Sequence, residues 1–197
     1  MHEIFLNTNV PKNLYKEKIY KRGEVIFNEG EVCERIGFIE YGHVSISTIS
    51  YANNEYEIKS LKDNSFFGAF VLFSASPYYL GSAVAKVNTK VIFFSKDNLL
   101  KAFKDENFLI NYLKLTTKES LQTQQKIKIL SQSSIKEKIL FLLNENKNRN
   151  NTNIYKIKSK ESLAKLINCP RPSLSRVLIE LRNENIIDFN RYYITLL

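Results

Sequence analysis

Residues 21–31 read Lys21-Arg22-Gly23-Glu24-Val25-Ile26-Phe27-Asn28-Glu29-Gly30-Glu31. A run of two β-branched residues and one aromatic lies between two glycines, residues that take the positive φ of a tight turn without steric cost. That is the pattern of a short strand between turns. It repeats downstream: Ile36-Gly37-Phe38-Ile39 precedes Glu40-Tyr41-Gly42, while Val44-Ser45-Ile46 and Tyr56-Glu57-Ile58 alternate with period two. Ile58-Lys59-Ser60-Leu61 alternates less cleanly, and Ala83 to Phe94 is the longest apolar stretch, rich in β-branched residues. Short strands separated by turn signals predict a sandwich or barrel.

All six glycines lie in the first 81 residues. After Gly81 the pattern reads as helical, with no proline before Pro170. The expected class is therefore α+β, a β-rich part followed by a helical part. Charge divides the chain in the same way. Residues 1–107 hold 13 Lys+Arg and 13 Asp+Glu, whereas residues 108–197 hold 16 and 7, so the whole net charge of +9 sits in the C-terminal part. A phosphate backbone attracts such clustered positive charge, although a solvated lysine-rich surface gives the same count.

At 197 residues the chain suits one domain or two small ones. It has no apolar run of membrane-spanning length, and the start MHEIFLNTNVPKN lacks the basic and apolar regions of a signal peptide. The expected location is cytoplasmic, without membrane attachment. Two cysteines, Cys33 and Cys169, are too few for a disulfide framework, and no HExxH, P-loop, GxSxG or GxGxxG motif occurs. No enzyme, catalytic residue, metal site or cofactor is expected. Cys33 reads either as a buried structural cysteine or as a thiol sensor activated by Arg35. His43, just after Gly42, reads as a surface turn residue.

From Glu106 to Gln132 there is neither Gly nor Pro, enough for a helix about 40 Å long. Leu109, Leu113, Thr116, Ser120, Thr123, Ile127 and Leu130 repeat at alternating spacings of four and three, the stripe of a coiled coil. The same helix could instead pack on its own β-rich part through Ile110, Leu113 and Leu121.

A second helical pattern covers Ser134 to Asn146, followed by a polar loop over Asn144 to Asn153 and a short strand at Ile154-Tyr155-Lys156-Ile157-Lys158. Ser159 offers an N-cap for a helix to Ile167. The next residues fit a helix-turn-helix: small Ala164 at the crossing, Asn168 at a positive-φ turn, and Leu163, Ile167, Leu174, Val177 and Leu178 tying the helices together. Cys169 belongs with that packing, and Pro172 suits a first helical turn. The recognition helix is expected over Arg171 to Glu184, turning Arg171, Pro172, Ser173, Ser175 and Arg176 outward. Ile186 to Ile194 reads as a two-stranded wing. Lys160 and Arg191 are placed for phosphates, which position rather than specify. A helical hairpin that only packs is the competing reading.

Taken together, residues 21–31, Phe38 to Ile46, Leu61-Lys62-Asp63-Asn64-Ser65-Phe66-Phe67-Gly68 and the C-terminal motif resemble the Crp/Fnr family of bacterial transcription regulators over residues 20–195. The resemblance implies a cyclic-nucleotide-binding-like β-roll over 1–105, a dimerisation helix over 106–132 and a winged helix-turn-helix over 133–197. Asn64 stands where family members usually have glycine. The implied ligand positions are Phe67, Gly68, Ala69, Tyr79 and Leu80, with Gln124 on the long helix. Nucleotide-binding members have a glutamate at the Ala69 position and an arginine and a hydroxyl residue at those of Tyr79 and Leu80. Nothing in this loop neutralises a phosphate, so cAMP control is not expected. A less charged ligand, a filled core and a nucleotide held by other contacts stay open. Phe70, Phe73, Tyr78 and Tyr79 read as core aromatics.

The same resemblance assigns base reading to Arg171 and Arg176, with Pro172 replacing the family's glutamate. The implied function is sequence-specific DNA binding by a homodimer on a pseudo-palindrome. Double-stranded DNA and a second copy of the chain are the expected partners; RNA polymerase and an unidentified small-molecule effector are admitted as others. A sensor acting through protein contacts, with a non-functional DNA head, is the alternative.

Overall fold

The computed structural model describes residues 2–49 and 55–197. The chain divides into two compact units, one ending at Lys118 and one beginning at Glu119.

The first unit contains two four-stranded antiparallel sheets. Its strands are β1 (Lys16–Tyr20), β2 (Val25–Phe27), β3 (Arg35–Tyr41), β4 (His43–Ile49), β5 (Glu55–Lys62), β6 (Phe66–Phe67), β7 (Ser82–Ala85) and β8 (Thr89–Ser95). One sheet has the order β1-β8-β3-β6 and the other β2-β7-β4-β5. The helices are α1 (Ala69–Leu72), α2 (Lys96–Ala102) and the start of α3 (Glu106–Leu130).

Strand period two explains the layering. Along β3, Ile36 and Phe38 face one way; Phe38 meets His2, Phe66 and Phe94, and Phe94 meets Phe5, Tyr15 and Phe108. Residues before β1 and the start of α3 thus cover that face. Gly37 faces the other sheet, and a Cβ there would overlap the Phe67 ring. Phe67 in turn meets Phe27 of the second sheet and Phe93. The space between the sheets is therefore filled with aromatic rings.

One expectation about this unit needs correction, and one strand has no counterpart in the sequence pattern. The apolar stretch from Ala83 to Phe94 is two strands, β7 and β8, so β structure continues beyond Gly81. Strand β1 carries Lys16, Glu17 and Lys18 and gives no apolar run; it forms by pairing with β8 from Lys16↔Phe93 to Tyr20↔Thr89. Asn64 takes the expected turn conformation, with φ +60°.

Helix α3 packs on the roll core through Phe108, Tyr112 and Leu115. Ile110, Leu113 and Leu121, the residues expected for such packing, are exposed. Counting aliphatic residues alone missed the aromatic face.

The second unit holds α4 (Ile135–Asn150), β9 (Ile154–Lys156), α5 (Lys160–Ile167), α6 (Arg171–Asn183), β10 (Ile187–Phe189) and β11 (Tyr193–Leu196). Its sheet has the order β10-β11-β9. Ile139, Leu142, Leu143, Leu163, Ile167, Leu174, Leu178, Leu181, Ile187 and Ile194 form its core, with Ile129 from α3. Ser134 and Glu137 make a reciprocal capping box at the start of α4. The loop expected from Asn144 is helical to Asn150, and the helix stops at Asn151 with φ +50°. Asparagine has a modest helix penalty, and the Glu145–Arg149 pair at 2.8 Å helps hold the last turns.

Candidate functional site

The first candidate region begins where β6 leads into Gly68. Gly68 has φ +84°, and a Cβ there would press on the Arg35 carbonyl at 2.9 Å and the Cys33 sulfur at 3.3 Å. This tight approach carries the chain into α1. The return segment is sewn to the loop after β2. Tyr79 N donates to Glu31 O at 3.0 Å, Gly30 N donates to Tyr79 O at 2.9 Å, and Cys33 N donates to Pro77 O at 2.7 Å.

That pairing sends the Tyr79 side chain inward. Its ring stacks on Phe27 with centroids 3.6 Å apart and planes at 14°, and its hydroxyl donates to the Arg35 carbonyl at 3.3 Å. Tyr79 is buried. Desolvation pushes its hydroxyl well above the ordinary tyrosine range, and the neighbouring Cys33 sulfur adds to the shift. Cys33 is also buried, its thiol donating to Arg35 O at 3.5 Å and Gly68 O at 3.7 Å. Burial raises the Cys33 thiol despite the opposing effect of Arg35, which is the opposite of sensor activation.

Of the expected ligand positions in the first unit, Phe67 and Tyr79 both pack on Phe27, and Leu80 turns away. Phe67, Ala69 and Tyr79 are buried, whereas Leu80 is 79% exposed. Alternation along this extended segment turns Leu80 outward once Tyr79 turns in. Gln124 is exposed and belongs to the second unit. Of the four aromatics expected in the core, only Tyr79 is there; Phe70, Phe73 and Tyr78 are exposed. Helix α1 is a single turn, too short to bury more than Ala69 and Leu72. His43 opens β4, and its ring shares a 2.7 Å hydrogen bond with Ser60 Oγ.

The second candidate region is α5, α6 and the strands after them. The Ser159 side chain accepts from Ser162 N and caps α5. Asn168 ends α5 at φ +53°, and Pro170 leads directly into α6. Ala164 is buried and its carbonyl accepts from Cys169 N at 3.0 Å, so a small side chain lies where the turn closes. Leu174, Leu178 and Leu181 bury one side of α6, and Val177 is partly buried beside them. Arg171, Pro172 and Arg176 are exposed, with Ser173 and Ser175 half-buried between them. Among the described residues, neither the Arg171 nor the Arg176 guanidinium makes an ion pair or a side-chain hydrogen bond.

Lys160 sits 4.7 Å from the Phe189 ring and Arg182 3.9 Å from the same ring. Arg182 also pairs with Asp188 at 2.8 Å and donates to the Phe189 carbonyl. Phe189 thus positions Lys160 and ties the end of α6 to β10. No sequence rule links positions 160, 182 and 189. Asn190 Oδ1 accepts from Tyr192 N at 2.8 Å and Tyr193 N at 2.9 Å, which leaves Arg191 exposed at the hairpin tip.

Residues 17–106 match the family model described as Cyclic nucleotide-binding domain. Among solved structures, CprK complexed with OCPA is 20% identical, with a TM-score of 0.70 and coverage of 93% of this chain and 86% of that one. The chain has the fold of the Crp/Fnr regulators. The catabolite activator protein of Thermus thermophilus shares this fold at 18% identity and TM-score 0.54, covering 99% of this chain and 93% of its own. So does CLP of Xanthomonas campestris, a c-di-GMP responsive global regulator, at 18% identity and TM-score 0.56, covering 93% of this chain and 94% of its own. No curated protein matches the chain in sequence. The α+β class and the β-roll expected from the resemblance are those of the Crp/Fnr fold. No described helix is long and apolar enough to cross a membrane.

Proposed function

We propose that this protein is a sequence-specific DNA-binding transcription regulator that works as a homodimer and is not controlled by cAMP. The observation that carries the reading is the exposed, unpaired Arg171–Arg176 face of α6, held against α5 by the Asn168 turn. The pair is then a helix-turn-helix, with β10 and β11 as its wing. Arginine reads guanine through O6 and N7, and serine hydroxyls accept several bases. Lys160 and Arg191 supply phosphate contacts and the steep salt dependence that goes with them.

The dimer reading rests on α3. Leu113, Ile127 and Leu130 of the four-and-three stripe are exposed along one helix, and such a row gains stability when a second copy covers it. Two DNA heads related by a twofold axis then fit half-sites about one DNA turn apart.

Independence from cAMP rests on the roll. Ala69 cannot accept from a ribose hydroxyl. The Tyr79 side chain is turned inward onto Phe27, and the loop from Gly68 to Gly81 carries no cation. A buried phosphate without a cation or several donors is costly. Fluorescence anisotropy on the upstream intergenic DNA, at two salt concentrations with and without cAMP, tests all three parts. The expected result is tight, salt-sensitive, sequence-selective binding indifferent to cAMP. Binding that requires cAMP would sink the pocket argument, and no selective binding would sink the regulator reading.

A further inference from the structure

The first turn of α4 reaches both helices of the α5–α6 pair. Lys136 Nζ donates to the two Glu184 carboxylate oxygens at 2.8 Å and 2.6 Å and lies 3.5 Å from Glu180 Oε1. Two residues on, Lys138 Nζ donates to the Ile167 carbonyl at 3.2 Å, at the C-terminal end of α5. The same turn holds the link that joins it to α3. The Glu137 carboxylate accepts from Ser133 N at 3.0 Å and from Ser134 N at 3.3 Å.

The charges of the Lys136 cluster stand at unfavourable helix ends. Lys136 is in the first turn of α4, where the helix dipole disfavours a cation. Glu180 is in the last turn of α6 and Glu184 is its C-cap, where the dipole disfavours an anion. Local rules would place none of them there; they are satisfied by one another across two helices. The buried side of α6, Leu174, Leu178 and Leu181, packs without directional bonds and leaves the helix free to pivot. Its N-terminal end is fixed by the Asn168 turn. Its C-terminal end, about 20 Å away, is held by Arg182 to Asp188 and by Lys136 to Glu184.

We propose that Lys136 is a positioning residue for DNA reading: it fixes the C-terminal end of α6 on α4 and so sets the angle at which α6 presents Arg171 and Arg176. The inference rests on the DNA-binding reading of α6 and adds to it a residue that touches no base. The pair is half-exposed, so it holds α6 with no more than an exposed ion pair supplies, and its effect is correspondingly modest.

The test is the ratio of affinities of the full chain for its upstream intergenic DNA and for an unrelated duplex of equal length, read by fluorescence anisotropy. A parent protein without selectivity would defeat the DNA-binding reading and this inference together. With a selective parent, the variants judge Lys136 alone. Lys136→Gln should lower the ratio about three- to fivefold, with little change in melting temperature. Lys136→Arg should keep the parent ratio, and Glu184→Lys should restore part of what Lys136→Glu loses. An unchanged ratio in Lys136→Gln, even with weaker binding of both duplexes, would overturn the proposal, because a lost charge alone weakens all sequences alike. So would a charge swap that restores nothing. A loss beyond about tenfold would also overturn it, since that exceeds one exposed pair and marks a direct DNA contact.

Discussion

The Tyr79 ring lies on Phe27 at 3.6 Å, joining the segment after α1 to the strand that opens the second half of the roll. Truncating either ring leaves a cavity lined by aromatics, and Phe-to-Ala changes in cores cost about 3–5 kcal/mol. Tyr79→Ala should lose stability of that order in chemical denaturation. The hole is the shape of a phenol, so 4-methylphenol should raise the melting temperature of Tyr79→Ala and leave the parent protein unaffected. A variant as stable as the parent would show that the stack contributes little.

Arg171→Ala and Arg176→Ala should each weaken specific DNA binding by about 1–3 kcal/mol and relax base preference in a selection experiment. Arg191→Ala should weaken all sequences about equally and reduce the salt slope by about one. A loss restricted to the specific site would move Arg191 from backbone to base contacts.

Phe189→Leu should act like a loss at Lys160. With the ring gone, Lys160 and Arg182 lose their shared platform. The expected outcome is weaker binding and a shallower salt slope with base preference retained; altered base preference would contradict a role through Lys160.

If α3 mediates dimerisation, a charge in its exposed apolar row should break the dimer. Leu113→Glu and Ile127→Glu together should shift sedimentation from dimer to monomer while the circular dichroism of the chain stays unchanged. A dimer that survives both changes would place the interface elsewhere.

His2 links the N-terminal segment to the Asn64–Ser65 turn. Its Nδ1 accepts from Ile4 N at 3.1 Å and its Nε2 donates to Ser65 O at 3.3 Å, an arrangement open only to the neutral ring. Burial lowers its folded pKa from the ordinary 6.5, with Glu3, Glu40 and the Ser65 carbonyl opposing. The unfolded chain therefore binds a proton that the folded one resists. Stability is full above pH 6.5 and falls as pH drops through that value toward the lowered folded one. Replacing His2 by Gln should flatten stability against pH between 7 and 5; an unchanged slope would assign it to other groups.

Much of this protein is legible along the chain because it rests on local rules. The glycine-bounded strands, the Asn64 and Asn168 turns, the Ser159 cap and the buried face of α6 all follow from backbone sterics and side-chain period, which act over a few residues. The charge split between the two parts is likewise a matter of counting.

What only the tertiary structure decided concerns residues whose neighbours are distant in sequence. β1 has no apolar pattern and exists because β8 supplies its hydrogen bonds. Tyr79 is core while Tyr78 and Leu80 are solvent, because backbone bonds to Gly30 and Glu31 set which side of the segment turns in. Arg35 lies over Phe93 because β3 and β8 pair with Arg35 opposite Ser95, which puts Phe93, two residues before, on the same face. Long-range pairing sets register, and a slip of one residue would reverse every one of these faces.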